Sequence, residues 1–185
     1  MMIDVRPTLR RFRAAALVAG GLAVLIACEE SITGLTSNFL IRRPTDSLIA
    51  GAPSFNVSAT ATTSLHFEWE PVPTAQSYSI IFKQAESVDS MNRLEVDFTE
   101  PTFTLEIEAP QLMDVLLTPA DSLNPNALRT TVVYYDAPAA MLDSILADLG
   151  VPSPGLMNTV WTIEAHRGRR SVRSIELQRM IFRRQ

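Results

Sequence analysis

A chain of 185 residues with a formal net charge of −4 and a single cysteine excludes several classes at once. Its negative balance gives no electrostatic footprint for nucleic acid. One thiol forms no disulfide within the chain, so stability must come from a packed core, and a hydrophobic share of 46% is enough for one.

The chain opens with Arg6, Arg10, Arg11 and Arg13, followed by an uncharged run from Ala14 to Ala27. A basic region followed by an apolar one of this size is the layout of a secretory leader. The run has 14 residues and contains the pair Gly20-Gly21, whereas a membrane span needs about 20. Glu29 and Glu30 close it, and carboxylates are costly inside hydrocarbon. The run ends Leu25-Ile26-Ala27-Cys28, which resembles the lipobox of bacterial lipoproteins. That resemblance implies cleavage before Cys28, a diacylglyceryl group on its thiol, and acylation of the new N-terminus. Each buried chain methylene adds about 0.8 kcal/mol, and stable anchoring needs more than one chain. The expected organisation is a leader at 1–27, a lipidated N-terminus and flexible stalk at 28–50, and a domain at 51–185. The acidic pair after Cys28 is similar to the signal that sends some lipoproteins to the outer membrane surface.

From residue 51 onward the side-chain period is mostly 2, which predicts strands. Leu65, Phe67 and Trp69 share a face opposite His66, Glu68 and Glu70. Tyr78, Ile80 and Phe82 repeat the pattern, as do "LEVDF" and "FTLEIE". A helix is predicted over "APQLMDVLL", with Pro110 in its first turn. A second follows "VVYYDAP", with Asp136 as cap, Pro138 in the first turn, and Gly150 at the end. Met141, Leu142, Ile145, Leu146 and Leu149 form its apolar stripe. Trp161, Ile163 and Ala165 point inward from the next strand, leaving Thr162, Glu164 and His166 outward. "SVRSIELQRMIF" supplies a last strand. The fold expected is mainly β, a two-sheet sandwich with two short inserted helices.

Charge is unevenly spread. Residues 28–166 carry 5 basic and 18 acidic side chains, whereas residues 167–185 carry seven arginines against Glu176. Such a strip either meets anionic lipid headgroups or blunts an exposed edge strand, and the edge reading is the one expected.

The run "LHFEWEPVPTAQSYSIIFK" resembles the B and C strands of a fibronectin type III or related immunoglobulin-like domain, through Trp69, Pro71-Val72-Pro73, Ala75 and Tyr78. "VWTIEAHRGRRSVRS" looks like the F–G hairpin of the same fold. "MLDSILADLGVPSPGLMNTVWTIEAHRG" is similar to the helix-then-strand unit of SusE/SusF-like outer-membrane lipoproteins. The resemblance implies an immunoglobulin-like sandwich on the outer membrane, with outer-membrane transporter components or a glycan as partners.

Catalysis needs converging polar groups. His66 and His166 are the only histidines, and no Gly-x-Ser-x-Gly elbow, HExxH helix or glycine-rich phosphate loop occurs. No enzyme, metal or cofactor is therefore expected. Trp69 and Trp161 share faces with aliphatic residues and are expected in the core. Tyr134 and Tyr135 are the candidate ligand-binding aromatics, because adjacent strand residues point to opposite faces. The alternative for the outward tyrosine is packing against the helix that follows.

Overall fold

Alternation of apolar and polar side chains sorts the chain into two sheets whose apolar faces meet. The structure, a computed structural model, describes residues 35, 38–45, 51–85, 96–116 and 128–185, which all belong to one unit, Leu35–Gln185. In chain order its elements are β1 (Ile41–Arg43), β2 (Ser54–Val57), β3 (Ser64–Trp69), β4 (Ser77–Ala85), β5 (Phe103–Ile107), β6 (Gln111–Leu116), β7 (Arg129–Pro138), α1 (Ala139–Asp148), β8 (Gly155–Arg167), β9 (Arg170–Arg173) and β10 (Gln178–Arg184). One sheet has the order β1-β3-β7-β6, and the other β2-β10-β8-β4-β5, with β9 beside β8. Every pairing is antiparallel except that of β2 with β10. The mainly β, two-sheet arrangement expected from the sequence is thus present.

The faces read from the sequence carry the core. Phe67 and Trp69 from one sheet, and Ile80, Phe82, Trp161 and Ile163 from the other, are fully buried. Phe67 lies edge-on to Trp161, with ring centroids 5.0 Å apart, and Trp69 meets Tyr78 at 5.3 Å. Edge-to-face contacts of this kind add to the burial of large apolar area. The Tyr78 oxygen accepts a hydrogen bond from the Val72 N–H at 2.9 Å. Burial raises the Tyr78 pKa above the ordinary tyrosine value, and that bond opposes the rise in part. Both indole N–H groups are buried without a hydrogen-bond partner, a cost of about 1–3 kcal/mol each.

Several expectations are corrected. The first helix, expected over residues 109–117, is the strand β6, which pairs with β7 from Gln111↔Tyr134 to Leu116↔Arg129. A short apolar run satisfies either period, and an isolated helix of that length is marginal. The partner strand decides the outcome, and Thr131 donates its hydroxyl to Asp114 across the pair at 2.8 Å. One helix, not two, is therefore inserted among the described residues. The residues expected as a stalk contribute β1, where Ile41 pairs with Trp69, so the packed body reaches back past residue 51. Within "LEVDF", residues 94 and 95 lie outside the described residues, and 96–98 are not a strand.

The second helix is present, but its ends are built differently from the expectation. Asp136 lies in β7, and Pro138 takes the N-cap position with no side-chain cap. Thr63 instead accepts the Ala139 N–H at 2.9 Å. At the other end Gly150 has φ +80°, and its N–H bonds to Ala147 while Val151 bonds to Leu146. This paired closure needs a left-handed residue, which glycine supplies without a Cβ clash. Asp143 then accepts a bond from Arg184 Nε at 2.9 Å, joining the helix to the end of β10.

The last strand is broken into β9 and β10, and residues 174–177 cross the face of β8 between them. Thr162, expected outward, is buried there and donates to the Glu176 carbonyl at 2.9 Å. β10 is an interior strand with partners on both sides, so edge blunting does not explain its arginines. The core predicts a contrast that denaturant unfolding measures. Trp161→Ala should lower stability by about 3–5 kcal/mol. Trp161→Phe, which removes an unpaired N–H and keeps a ring, should cost only about 1–2 kcal/mol.

Candidate functional site

Two polar clusters rise from the sheets, each on a face turned away from the shared core. The first lies on β3 and β7, where cross-strand pairing sets His66 opposite Asp136 and Glu68 opposite Tyr134. His66 Nδ1 is 2.7 Å from Asp136 Oδ1, and its ring stacks on Tyr134 with centroids 5.8 Å apart and planes at 30°. The Glu68 side chain is only 6% exposed, with Arg43 Nε at 3.6 Å and His66 Nε2 at 3.7 Å. Separations of 3.6 Å or more are too long for hydrogen bonds, and the Arg43 contact is an ion pair. The cluster offers a half-buried aromatic and imidazole surface flanked by two carboxylates. Asp136 orients the imidazole as a base would need, but the group facing Nε2 is a carboxylate and not a nucleophile.

Tyr135 points to the opposite face, packs against the core, and brings its hydroxyl to Met141 Sδ at 4.0 Å. The packing against the following helix therefore falls to Tyr135, while Tyr134 is the tyrosine turned outward. Cys28 lies outside the described residues.

The second cluster was not legible as a unit in the sequence. Ser79 sits between Glu106 on β5 and Glu164 on β8 in the pairing. Its Oγ lies 2.6 Å from Glu106 Oε2 and 2.6 Å from His166 Nε2. A serine has one hydroxyl proton, and a carboxylate only accepts. Ser79 therefore donates to Glu106 and accepts from the His166 Nε2–H. Nucleophilic activation requires the reverse order, with histidine between serine and carboxylate and its nitrogen taking the serine proton. Ser79 is also buried, at 2% exposure. Beside it Arg173 donates to Glu164 Oε2 at 3.2 Å, and its guanidinium lies 5.2 Å from the Phe98 ring centroid. Among the described residues no group of three or more His, Cys, Asp or Glu is placed to hold a metal ion.

Separation in sequence hides the second cluster from a reading of the chain alone. Ser79 and Glu106 are 27 residues apart, and Ser79 and His166 are 87 apart. Only the strand register brings them together. A fluorophosphonate probe incubated with the folded protein should leave Ser79 unmodified in peptide mass spectrometry. Stoichiometric labelling of Ser79 would contradict the proton assignment. No protein-family model matches the chain, and no curated protein matches it.

Proposed function

We propose that the chain is a non-enzymatic, lipid-anchored accessory or interaction module of a bacterial outer membrane. On this reading an immunoglobulin-like (fibronectin type III-like) sandwich akin to SusE/SusF-like lipoproteins is tethered through Cys28. The observation that carries it is the order of features at the start: four arginines, 14 uncharged residues that end in Leu25-Ile26-Ala27, then Cys28-Glu29-Glu30. An acylated cysteine supplies the several chains that stable anchoring needs.

Strand order supports the fold part. With immunoglobulin lettering, β1, β3, β7 and β6 fall as A, B, E and D, and β2, β10, β8, β4 and β5 as A′, G, F, C and C′. The single parallel pair is then A′ with G. The non-enzymatic part draws on the Ser79 hydroxyl, which is committed to Glu106 rather than to a base. Radiolabelled palmitate should enter the polypeptide in a bacterial host, and Cys28→Ala should abolish both the label and membrane retention. Absence of label, or equal retention of the variant, would overturn the reading.

A second reading, a glycan-binding subunit of a nutrient uptake system, draws on Tyr134. Its ring stacks on His66 and has Glu68 and Asp136 beside it, a combination of apolar face and hydroxyl acceptors that suits a sugar. In affinity electrophoresis through polysaccharide gels this reading expects retardation by at least one glycan, lost in Tyr134→Ala. Unchanged mobility across a broad panel would remove it.

A further inference from the structure

The strands place a set of exposed arginines at the end of the body where the chain enters. Asn38–Leu40 lead into β1, and Leu40 bonds to Glu70 through both backbone and side chain, at 3.0 and 3.3 Å. Glu70 begins the β3–β4 connection. At the close of that connection Gln76 donates its N–H to the His166 carbonyl at 2.8 Å and accepts from the Gly168 N–H at 3.2 Å. The entry strand, the β3–β4 connection and the β8–β9 hairpin therefore share one end.

The hairpin tip is a two-residue turn closed by Arg167↔Arg170, with Gly168 at φ +58°. A first turn residue of positive φ matches the right-handed twist of the flanking strands. Arg167, Arg169 and Arg170 are all exposed there. The β6–β7 pair reaches the same end, because β7 runs from Arg129 down to Val133, the partner of Trp69. It adds exposed Arg129 and, at 74% exposure, Leu128. Leu40 is 46% exposed beside the entry. Among the described residues the acidic groups toward this end are Glu70, which Arg42 pairs at 2.9 Å, Asp114, which accepts from Thr131, and Glu106 and Glu108 on the β5 side. Glu164, which Arg173 pairs at 3.2 Å, and Glu176, which accepts from the Ile41 N–H, complete the set. The exposed arginines are concentrated at the hairpin tip and at Arg129.

We propose that this end of the sandwich rests on the phospholipid surface that holds the Cys28 acyl chains. In that arrangement Arg129, Arg167, Arg169 and Arg170 contact headgroup phosphates, and Leu40 and Leu128 sit at the interface. The inference rests on the anchoring reading above. Ten residue steps separate Cys28 from Asn38, and a chain of that length spans at most about 35 Å. The end from which the chain leaves toward Cys28 is thus held within about 35 Å of the lipid. Charge complementarity supplies the rest, since each arginine close to an anionic surface raises partitioning roughly fivefold.

The test uses the full lipidated chain in phosphatidylcholine vesicles and in vesicles that also contain phosphatidylglycerol, followed by limited trypsin digestion. Cleavage after Arg169 is compared with cleavage after exposed Arg183, which β10 places at the opposite end. The ratio should fall about fivefold or more in the anionic vesicles, and molar salt should restore it because screening then acts over about 3 Å. Arg169→Glu should weaken protection at Arg167 and Arg170. An unchanged ratio in the two vesicle types would overturn the inference. Association with neutral vesicles reads the anchor separately. If that association fails, co-sedimentation with anionic vesicles must still fall several-fold in Arg169→Glu, and equal sedimentation of the variant would likewise overturn the inference.

Discussion

The contact of Phe67 with Trp161 is the constraint on which the rest of the structure depends. One ring comes from each sheet, both are fully buried, and they meet edge to face. Phe82 stacks against Phe103 at 4.3 Å and lies 5.7 Å from Phe182, so the aromatic set extends across the second sheet. Burying side chains of this size contributes the largest favourable share of the stability of a chain that has no disulfide. It also fixes register, because a slip of one residue on β3 would turn Phe67 and Trp69 outward and bring His66 and Glu68 inside.

With that register fixed, β8 becomes the spine on which both polar features are placed. Its 13 residues pair with β4 along one side and with β10 and then β9 along the other. The inward row fills the core, and the opposite row carries Glu164 and His166 to Ser79 and Arg173. Beyond its last paired residue it turns into the arginine-bearing tip. The polar cluster lies within the β4 pairing, and the tip follows one residue beyond it, so a single long strand places both.

The parts of the fold legible in the sequence are those with a long, clean period. Leu65-Phe67-Trp69 and Tyr78-Ile80-Phe82 alternate strictly, and their inward faces follow from that alone. The stretch 111–116 was not legible, because its apolar residues fit helical and strand spacing alike and the deciding partner lies on β7. β1 has three residues, too few to show any period. Thr162 reads as outward by alternation, and its burial depends on residues 174–177 crossing the strand. In the candidate sites, opposite orientations for Tyr134 and Tyr135 follow from adjacency. The partners of Tyr134, by contrast, come from β3 through a register that only the folded sheet supplies.

The central claim is that the two sheets share one core and unfold together. Native-state hydrogen exchange tests it most directly, through the amides of Phe67 and Val133 in one sheet and Ile80 and Ile163 in the other. All four should open with the same free energy, equal to that of global unfolding. Exchange from Phe67 and Val133 at a clearly lower free energy, while Ile80 and Ile163 stay protected, would contradict it.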